Sequence, residues 1–329
     1  MILAGDIGGT SARFAAFEVV RGALRVVAEK DYPSGKYGGL GDIAEEFVAA
    51  HALRVVCACF GIAGPVRDGR VKTPNLPWEI EAPVLARRLG LDAVTLINDL
   101  EANAWGIAAL GRDDVLMLNA GTPVAKGNTA VIAAGTGLGE AGLFWDSERH
   151  RPFACEGGHA DFAPRDALEI ELLRHLMNKF GRVSYERVLS GPGLRNIYEF
   201  LRDSGRGKET PTVAEAMRDQ DAAAVIAQAA LESRCKLCMD ALELFVSIYG
   251  AEAGNVALKF MAFAGVYIGG GIAPKIIDKL RDGAFMRAFV AKGRMQPLLE
   301  SMPVRVILNP KTALHGAARY AALRMGLWS

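Results

Sequence analysis

The sequence predicts an α/β protein in which a βββαβ unit occurs twice. Short apolar, β-branched runs alternate with helical patterns, and two of these runs end in glycine-rich tips, Gly8-Gly9-Thr10 and Gly135-Thr136-Gly137-Leu138-Gly139. Both tips share one design, a hairpin whose glycine and threonine residues offer backbone N–H groups. The repeated design predicts a duplicated fold with a central cleft between the two copies.

The first copy begins at the first residues of the chain. Three apolar runs predict strands, a helical pattern follows, and a β-branched run then predicts a buried parallel strand. In order, these segments are residues 2–6, 12–20, 24–32, 40–51 and 54–62. A short strand at residues 92–98 and a helix at residues 100–110 come next. We expect the first lobe to end near Leu110.

The second copy starts with strands on either side of its glycine tip, at residues 129–134 and 140–145. The pattern is then mostly helical to about residue 263, apart from a break at Ser190-Gly191-Pro192-Gly193 and an exposed loop at residues 203–211. A strand, a helix, a second strand and an Ala-rich helix close the chain. They cover residues 266–268, 274 onward, 304–308 and 312–325.

The overall composition fits a cytoplasmic protein without a charged binding surface. Of 329 residues, 51% are hydrophobic, and 38 Lys and Arg balance 37 Asp and Glu. This balance gives no basic patch for nucleic acid or anionic membranes. Because the sequence opens on an apolar strand and has no long uncharged apolar run, we expect no membrane segment.

The five cysteines indicate reduced thiols rather than a disulfide framework, since they are odd in number and scattered through apolar segments. Cys235 and Cys238 form a C-x-x-C sequence inside a helical pattern at residues 222–246. With no second Cys or His pair nearby, we interpret them as two buried helical thiols rather than a metal or redox site.

The tip Asp6-Ile7-Gly8-Gly9-Thr10 suits an anion, because glycines let the backbone approach a phosphate and Thr10 adds a hydroxyl donor. Asp6 would hold the hydration shell of Mg²⁺ near the phosphates. The alternative is an ordinary hairpin turn. Further glycine runs at residues 135–139 and 269–271 favour one nucleotide bound by all three. The Lys-containing Walker A loop and the spaced G-x-G-x-x-G loop are absent, which disfavours a Rossmann dehydrogenase.

Asn98 and Asp99 lie between an apolar strand and a helix, where side chains face a cleft. One interpretation is that either residue caps the helix. The other is catalytic: a phosphoryl acceptor hydroxyl needs a carboxylate to orient it and take its proton, and Asp99 would fit that role. Asn98 would then bind a neighbouring hydroxyl.

Glu156 and His159 stand three residues apart with glycines between them, which permits both to point at one small polar ligand such as a sugar. A metal site is the rival interpretation, but no H-E-x-x-H spacing or third ligand is evident. On the sequence alone, we predict that Glu186 is a solvated residue of a helix.

Taken in order, a set of motifs resembles the bacterial glucokinase family, the hexokinase-like branch found in proteobacteria and cyanobacteria. The resemblance spans nearly the whole chain, and the ordered set is specific although each motif alone is weak. The motifs are Gly5-Asp6-Ile7-Gly8-Gly9-Thr10-Ser11-Ala12-Arg13, Thr73-Pro74-Asn75-Leu76-Pro77-Trp78, Asn98-Asp99-Leu100-Glu101-Ala102, Gly135-Thr136-Gly137-Leu138-Gly139, Glu156-Gly157-Gly158-His159 and Leu189-Ser190-Gly191-Pro192-Gly193-Leu194.

The resemblance implies a two-lobed actin-like ATPase fold, which is ribonuclease H-like, and an ATP:D-glucose 6-phosphotransferase. Asp99 would be the base at the 6-hydroxyl. The implied glucose-binding residues are Asn75, Asn98, Asp99, Glu156, His159 and Glu186. The implied ATP-binding residues are Gly5, Asp6, Ile7, Gly8, Gly9, Thr10, Gly135, Thr136, Gly137, Gly269 and Gly270. The C-terminal helix, residues 311–329, would join a small lobe of residues 1–110, with residues 111–310 as the large lobe, and homodimers would be usual.

Two departures from the family pattern stand out. Ser11 occupies a position where Asn is frequent, which changes one side chain near the phosphate turn and not the backbone donors. No cysteine follows His159 until Cys235, so the zinc motif of the related repressor branch is not expected. Two alternatives remain: a same-fold kinase for another hexose, an amino sugar or a carboxylic acid, and a sugar-binding regulator without catalysis, which is weaker because no DNA-binding segment precedes Met1.

Overall fold

The computed structural model describes residues 1–73 and 76–327. Its strands are β1 (Ile2–Ile7), β2 (Ser11–Val20), β3 (Ala23–Pro33), β4 (Cys57–Ile62), β5 (Arg70–Lys72), β6 (Glu79–Glu81), β7 (Val94–Asn98), β8 (Val115–Asn119), β9 (Thr129–Ala134), β10 (Leu138–Trp145), β11 (His150–Cys155), β12 (Gly265–Gly269) and β13 (Val304–Ile307). Its α-helices are α1 (Leu40–Ala50), α2 (Ala82–Leu89), α3 (Asp99–Gly106), α4 (Ala167–Phe180), α5 (Gly191–Asp203), α6 (Pro211–Asp219), α7 (Ala222–Leu231), α8 (Lys236–Phe260), α9 (Ile277–Arg281), α10 (Ala284–Val290), α11 (Gln296–Glu300) and α12 (Thr312–Arg324).

The chain divides into two units. The first comprises Met1–Arg112, Arg151–Ala154 and Asn309–Ser329, and the second comprises Asp113–His150 and Cys155–Leu308. Each unit is built around its own sheet and its own buried core.

The sheet of the first unit has the strand order β3-β2-β1-β4-β7. β1 pairs antiparallel with β2 and parallel with β4, and β4 pairs parallel with β7. Parallel strands end at the same edge of a sheet. Asp6 near the end of β1, Ile62 at the end of β4 and Asn98 at the end of β7 therefore share one edge.

Both faces of this sheet are buried, which explains the nearly continuous apolar runs of β1, β2 and β4. Successive side chains of a strand point to opposite faces. In β1, Leu3 and Ile7 join a cluster that includes Phe14, Phe47 and Phe60, while Ile2 and Ala4 face the other cluster, which includes residues of α12. Helices thus cover the sheet on both faces.

Helices α3 and α12 approach each other through glycine. A Cβ on Gly316 would lie 1.8 Å from the carbonyl oxygen of Ala102, and a Cβ on Gly106 would lie 2.0 Å from that of Thr312. Atoms cannot approach so closely, so glycine at both positions permits the short distance between the helix axes. This contact fixes the C-terminal helix against the helix that carries Asp99.

The sheet of the second unit repeats the first. Within this unit its order is β10-β9-β12-β13-β8, in which the first four strands follow the pattern of β2-β1-β4-β7 and β8 is added antiparallel to β13. β9 pairs antiparallel with β10 and parallel with β12, as β1 does with β2 and β4. The predicted duplicated α/β fold is confirmed. The core of this unit forms around α8, whose buried residues include Phe245 and Tyr249.

Several local predictions are wrong. The stretch from Trp145 to about residue 263 is mostly helical as predicted, with α4 to α8 ending at Phe260, but β11 precedes these helices, and β5, β6, α2 and β8 were not predicted. The break at Ser190-Gly191-Pro192-Gly193 instead starts α5: the Ser190 hydroxyl accepts a hydrogen bond from the Gly193 N–H at 3.0 Å, and proline is tolerated in a first helical turn. α3 ends at Gly106 instead of residue 110, and the helix predicted from residue 274 onward is divided into the short helices α9, α10 and α11.

The C-x-x-C sequence was expected inside one continuous helix, but it lies at the start of α8. α7 ends at Leu231, and Cys235 caps the N-terminus of α8, where its sulfur accepts a hydrogen bond from the N–H of Cys238 at 3.4 Å. Both side chains are buried, as expected.

Within the described part of the chain, no helix is long and apolar enough to span a bilayer.

We predict that Gly316→Ala destabilises the protein by about 1–3 kcal/mol, because the added methyl group forces α12 away from α3. Helix propensity alone predicts the opposite sign, a gain of about 1 kcal/mol for glycine to alanine. Urea unfolding followed by circular dichroism measures the difference.

Gly35→Ala is the control for this prediction. Gly35 has no atom within 4 Å of its would-be Cβ, so its replacement should leave the unfolding midpoint nearly unchanged. A stabilised Gly316→Ala protein would contradict the proposed close packing of α3 on α12.

Candidate active site

A pair of carboxylates lies at the edge of the first sheet. Asp6 is near the end of β1 and half-buried, and Asp99 is the first residue of α3, directly after β7. Burial and, after it, the negative charge of Asp99 together raise the pKa of Asp6 to about 6, against the lowering effect of Arg13. The two acids are thus close enough to repel each other.

Gly61 of β4 makes room for this arrangement. It is the register partner of Asp6 on one side and of Ile97 on the other. A Cβ at Gly61 would lie 2.7 Å from the Cβ of Ala102 and 3.8 Å from the Cα of Asp99. Glycine therefore lets the first turn of α3 rest directly on the strand. Sequence reasoning missed this residue, because its role appears only once β4 lies between β1 and β7.

Asn98 caps α3. Its Oδ1 accepts hydrogen bonds from the backbone N–H of Leu100 at 2.9 Å and of Glu101 at 3.4 Å, and its Nδ2 donates to the carbonyl oxygen of Gly64 at 3.1 Å. The capping interpretation is confirmed for this residue. A side-chain amide nitrogen carries two hydrogens, so capping is compatible with donation to a ligand.

The first glycine turn is held by Ser34. The Ser34 hydroxyl donates to the carbonyl oxygen of Gly8 at 2.9 Å, and the Ser34 N–H donates to that of Thr10 at 3.1 Å. The Gly8 N–H closes the turn on the carbonyl oxygen of Ser11 at 3.0 Å. Ser34 is fully buried, and it is a residue that sequence reasoning did not find. It fixes the carbonyl groups of the turn and so the direction of its peptide planes.

In the second unit, Glu156, His159 and Glu186 come together. His159 Nε2 lies 4.0 Å from Glu156 Oε2, and His159 Nδ1 lies 4.0 Å from Glu186 Oε1. The imidazole thus stands between two carboxylates, and the side chains of His159 and Glu156 are more than half exposed, at 56% and 59%. The cluster offers donors and acceptors to a small polar ligand from solvent. Glu186, which looked like a surface residue, belongs to this cluster.

Glycines set the positions of these side chains. Gly157 and Gly158 lie in a 3₁₀ turn that packs on β10, where a Cβ would meet Glu140 Oε2 at 1.9 Å and the Leu138 carbonyl oxygen at 2.0 Å. Gly137 has no room for a Cβ either, since one would lie 2.5 Å from Glu186 Oε2. That carboxylate accepts a hydrogen bond from the Leu138 N–H at 3.0 Å. Glu186 is therefore tied to the second glycine turn.

The second and third glycine runs are neighbours in the second unit. β9 and β12 are parallel, with Ala133 opposite Gly269, so the turns that follow them share an edge. Gly270 has φ = +81°, and a Cβ there would lie 2.2 Å from the Ala134 carbonyl oxygen. The buried Tyr249 hydroxyl accepts a hydrogen bond from the Ala134 N–H at 3.2 Å. Two of the three predicted glycine tips are thus brought together.

Asn75, expected to bind glucose, lies outside the described residues.

Arg13 is the register partner of Asp6. Its guanidinium group donates hydrogen bonds through Nε to Asp31 Oδ1 at 3.1 Å and through Nη1 to the Pro310 carbonyl oxygen at 2.5 Å. Arg13 belongs to the first motif, but the motif alone does not reveal that its charge lowers the pKa of Asp6.

Known proteins match this chain along nearly its whole length. The family model described as Glucokinase matches residues 3–324. A glucokinase of Synechocystis sp. is 43% identical over 97% of this chain and 97% of its own. The chain belongs to the glucokinase family. In structure, a glucokinase from an Antarctic psychrotroph matches with a TM-score of 0.83 and 29% identity over 98% of each chain.

A more distant member shows the same fold. The ROK family glucokinase of Streptomyces griseus, whose crystal structure is in complex with glucose and AMPPNP, matches with a TM-score of 0.66 and 22% identity over 98% of this chain and 99% of its own. The resemblance read from the sequence motifs and the predicted fold of this glucokinase-family chain are both confirmed.

The first unit of this glucokinase-family chain could take part in Mg²⁺ binding but could not supply a full set of ligands. Among the described residues, no group of three or more His, Cys, Asp or Glu side chains is placed to hold a metal ion. Mg²⁺ commonly uses one or two carboxylates and completes its shell with water and phosphate oxygens. Asp6 and Asp99, two repelling carboxylates, fit that partial role, because a cation beside them would relieve the repulsion.

We predict that Asp6→Asn makes the glucokinase-family protein more stable at pH 7.5 by about 1–2 kcal/mol. The Asp6 carboxyl group keeps its proton up to about pH 6 in the folded state, whereas its ordinary pKa is 3.8. Stability is therefore lost as the pH rises from about 4 to about 6, and the loss is complete at pH 7.5. Below about pH 4 the carboxyl group is neutral in both states, and the advantage of asparagine should disappear.

Urea unfolding at pH 4 and pH 7.5 measures this difference, with Asp92→Asn, an exposed site, as the control that should show no pH-dependent gain. An equal effect of Asp6→Asn at both pH values would show that charge is not the cause.

Proposed function

We propose that the chain transfers the γ-phosphate of ATP to the 6-hydroxyl of D-glucose, with Asp99 as the base. The observation that carries this proposal is the position of Asp99 at the N-terminus of α3, on the same sheet edge as the Gly8–Thr10 turn. A carboxylate there would reach a hydroxyl group next to bound phosphates. Membership in the glucokinase family and the geometry of this edge support the same reaction.

Glucose would be bound by groups whose chemistry suits hydroxyls. Glu156 and Glu186 accept hydrogen bonds, and His159 between them donates or accepts according to its tautomer. Asn98 would add its amide donor, and we include Asn75 in the proposed set on the family resemblance. Several fixed hydrogen bonds orient one hydroxyl of the sugar for reaction.

Asp99 would orient the 6-hydroxyl and accept its proton as the oxygen attacks the γ-phosphorus in line with the leaving group. Asp99 Oδ1 accepts a hydrogen bond from the backbone N–H of Leu100 at 2.9 Å, which orients the carboxylate at the N-terminus of α3. Its backbone position is fixed by the Asn98 cap and by the hydrogen bond that the Asn103 amide donates to the Asp99 carbonyl oxygen at 3.1 Å.

The phosphates would be held by backbone N–H groups of the Gly8–Thr10 turn and of the Gly135–Gly137 turn, with Gly269 and Gly270 on the adenosine side. The hydrogen bonds from Ser34 keep the first turn in one conformation before ATP binds. When bound, Mg²⁺ would neutralise charge on the β- and γ-phosphates, with Asp6 holding its hydration shell.

The broader setting follows from the same proposal. Residues 1–110 with the C-terminal helix 311–329 would act as the small lobe, and residues 111–310 as the large one. The cysteines of the described chain are free thiols, which is typical of the reducing cytoplasm, where we place the enzyme. A homodimer is the family expectation, and light scattering tests it.

We predict that Asp99→Asn lowers kcat by several orders of magnitude while glucose still binds, because asparagine keeps the shape and cannot accept the proton. ADP release from ATP and Mg²⁺ measures turnover, and titration calorimetry measures glucose binding. Asp113→Asn, an exposed acid, should retain normal turnover. Near-normal turnover of Asp99→Asn would exclude Asp99 as the base.

A panel of glucose, mannose, glucosamine and an unrelated carboxylic acid tests the substrate. We expect glucose to give the highest kcat/KM, because Glu156, His159 and Glu186 offer both donors and acceptors to neutral hydroxyls. Turnover with another sugar and none with glucose would point to a same-fold kinase of different specificity. Sugar binding without turnover of any compound would point to a regulator.

A further inference from the structure

Two glutamates are buried in the second unit and take no part in the proposed chemistry. Glu140 of β10 is 2% exposed and Glu252 of α8 is 0% exposed. Among the described residues, neither Glu140 Oε1 nor Glu252 Oε1 has a hydrogen-bond partner. Ionised carboxylates only accept, so two of them facing each other lack a donor. A proton on one carboxyl group would supply it.

The charges around the pair also favour one proton. Lys259 Nζ lies 3.6 Å from Glu252 Oε1, and its charge acts on both carboxyl groups. Burial, then the charge of Glu252, raise the pKa of Glu140 to about 8, and Lys259 opposes the shift. The other titratable groups that face the pair are Tyr249 of α8, Cys155 of β11, Tyr185 and Lys292.

The pair lies beneath both segments that carry the sugar-site residues. Glu140 packs against Gly157, which lies between Glu156 and His159 in sequence, so closely that a Cβ there would be 1.9 Å from Glu140 Oε2. Glu252 connects to the other segment through Asn255.

Asn255 Nδ2 donates to Glu252 Oε2 at 2.7 Å and to the Tyr185 hydroxyl at 3.1 Å, and Tyr185 precedes Glu186 in the chain. Lys292 Nζ holds Asn255 Oδ1 at 2.5 Å. A change in the distance between Glu140 and Glu252 would therefore move both segments.

We propose that Glu140 and Glu252 share one proton and, in that state, act as positioning residues that hold Glu156, His159 and Glu186 in the geometry for sugar binding. The positioning role rests on the proposed kinase function. Loss of the shared proton leaves two adjacent buried negative charges, and their repulsion displaces the Gly157 turn and, through Asn255, the Tyr185 segment.

The consequence for catalysis is selective. Asp99 and the Gly8–Thr10 turn belong to the first unit, whereas Glu140 and Glu252 belong to the second. We therefore expect the KM for glucose to rise at least threefold between pH 7 and pH 9, while kcat changes less than twofold.

The test compares the wild type with Glu140→Gln at saturating ATP over pH 6.5–9.0. Glutamine keeps the shape and donates permanently to Glu252, so its KM for glucose should match the wild type at pH 7 and stay flat to pH 9. Glu148→Gln, an exposed glutamate, is the matched control and should keep the wild-type profile. Parallel profiles of the wild type and Glu140→Gln would overturn the proposal.

Measurements that do not depend on enzyme activity, namely stability and amide exchange, test this inference separately from the kinase function. The folded state keeps a proton that the unfolded chain releases near the ordinary value of 4.5, so the wild type should lose stability relative to Glu140→Gln from about pH 5 to pH 8 and no further above it. At pH 9, amide exchange at residues 157–160 and 185–188 should be faster in the wild type than in Glu140→Gln.

Each remaining outcome is decisive. If no sugar is turned over, the kinase function fails, and the stability and exchange profiles still confirm or overturn the proton-sharing pair. If Glu140→Gln does not fold, Glu252→Gln tests the other member with the same expected profiles. Failure of both to fold would overturn the proposal, because a neutral donor should be accepted at either position.

Discussion

The parallel pairing of β1, β4 and β7 is the constraint on which the first unit depends. It brings the ends of three strands to one edge and so places Asp6 and the N-terminus of α3 together, although more than ninety positions separate Asp6 from Asp99 in the sequence. Glycine at position 61 lets the helix approach this edge. Burial of the sheet on both faces leaves little freedom for this edge to move, because interiors are closely packed.

The same topology produces a different site in the second unit. The turn after β9 again carries glycines, yet here Gly137 admits the Glu186 carboxylate and Gly270 lies against the Ala134 carbonyl oxygen. The duplicated sheet therefore supplies two turns with similar backbones and different side-chain surroundings. Fold duplication explains why both turns exist, while the residues packed behind them explain what each can bind.

Sequence reasoning found the parts of the site that depend on local pattern. Strands flanking a glycine tip predicted the position of Asp6, and a polar pair between a strand and a helix predicted that of Asp99. Ser34, which holds the first turn, and Glu140 were not found, because their roles depend on contacts with segments distant in sequence. The edge strand β11 was missed since its start, His150-Arg151-Pro152, is polar and contains a proline.

Each unit contains a pair of acids held close together, and the surroundings give them different roles. Asp6 is half-buried beside Arg13, at an edge where solvent or a cation can compensate its charge. Glu140 is buried away from water, so sharing a proton with Glu252 removes a negative charge that solvent cannot stabilise. A carboxylate pair open to ligands suits chemistry on phosphates, whereas a closed, protonated pair suits support of a binding turn. The repulsion within the first pair therefore lowers stability at the edge where catalysis is proposed, and the second pair avoids that loss only while it keeps its proton.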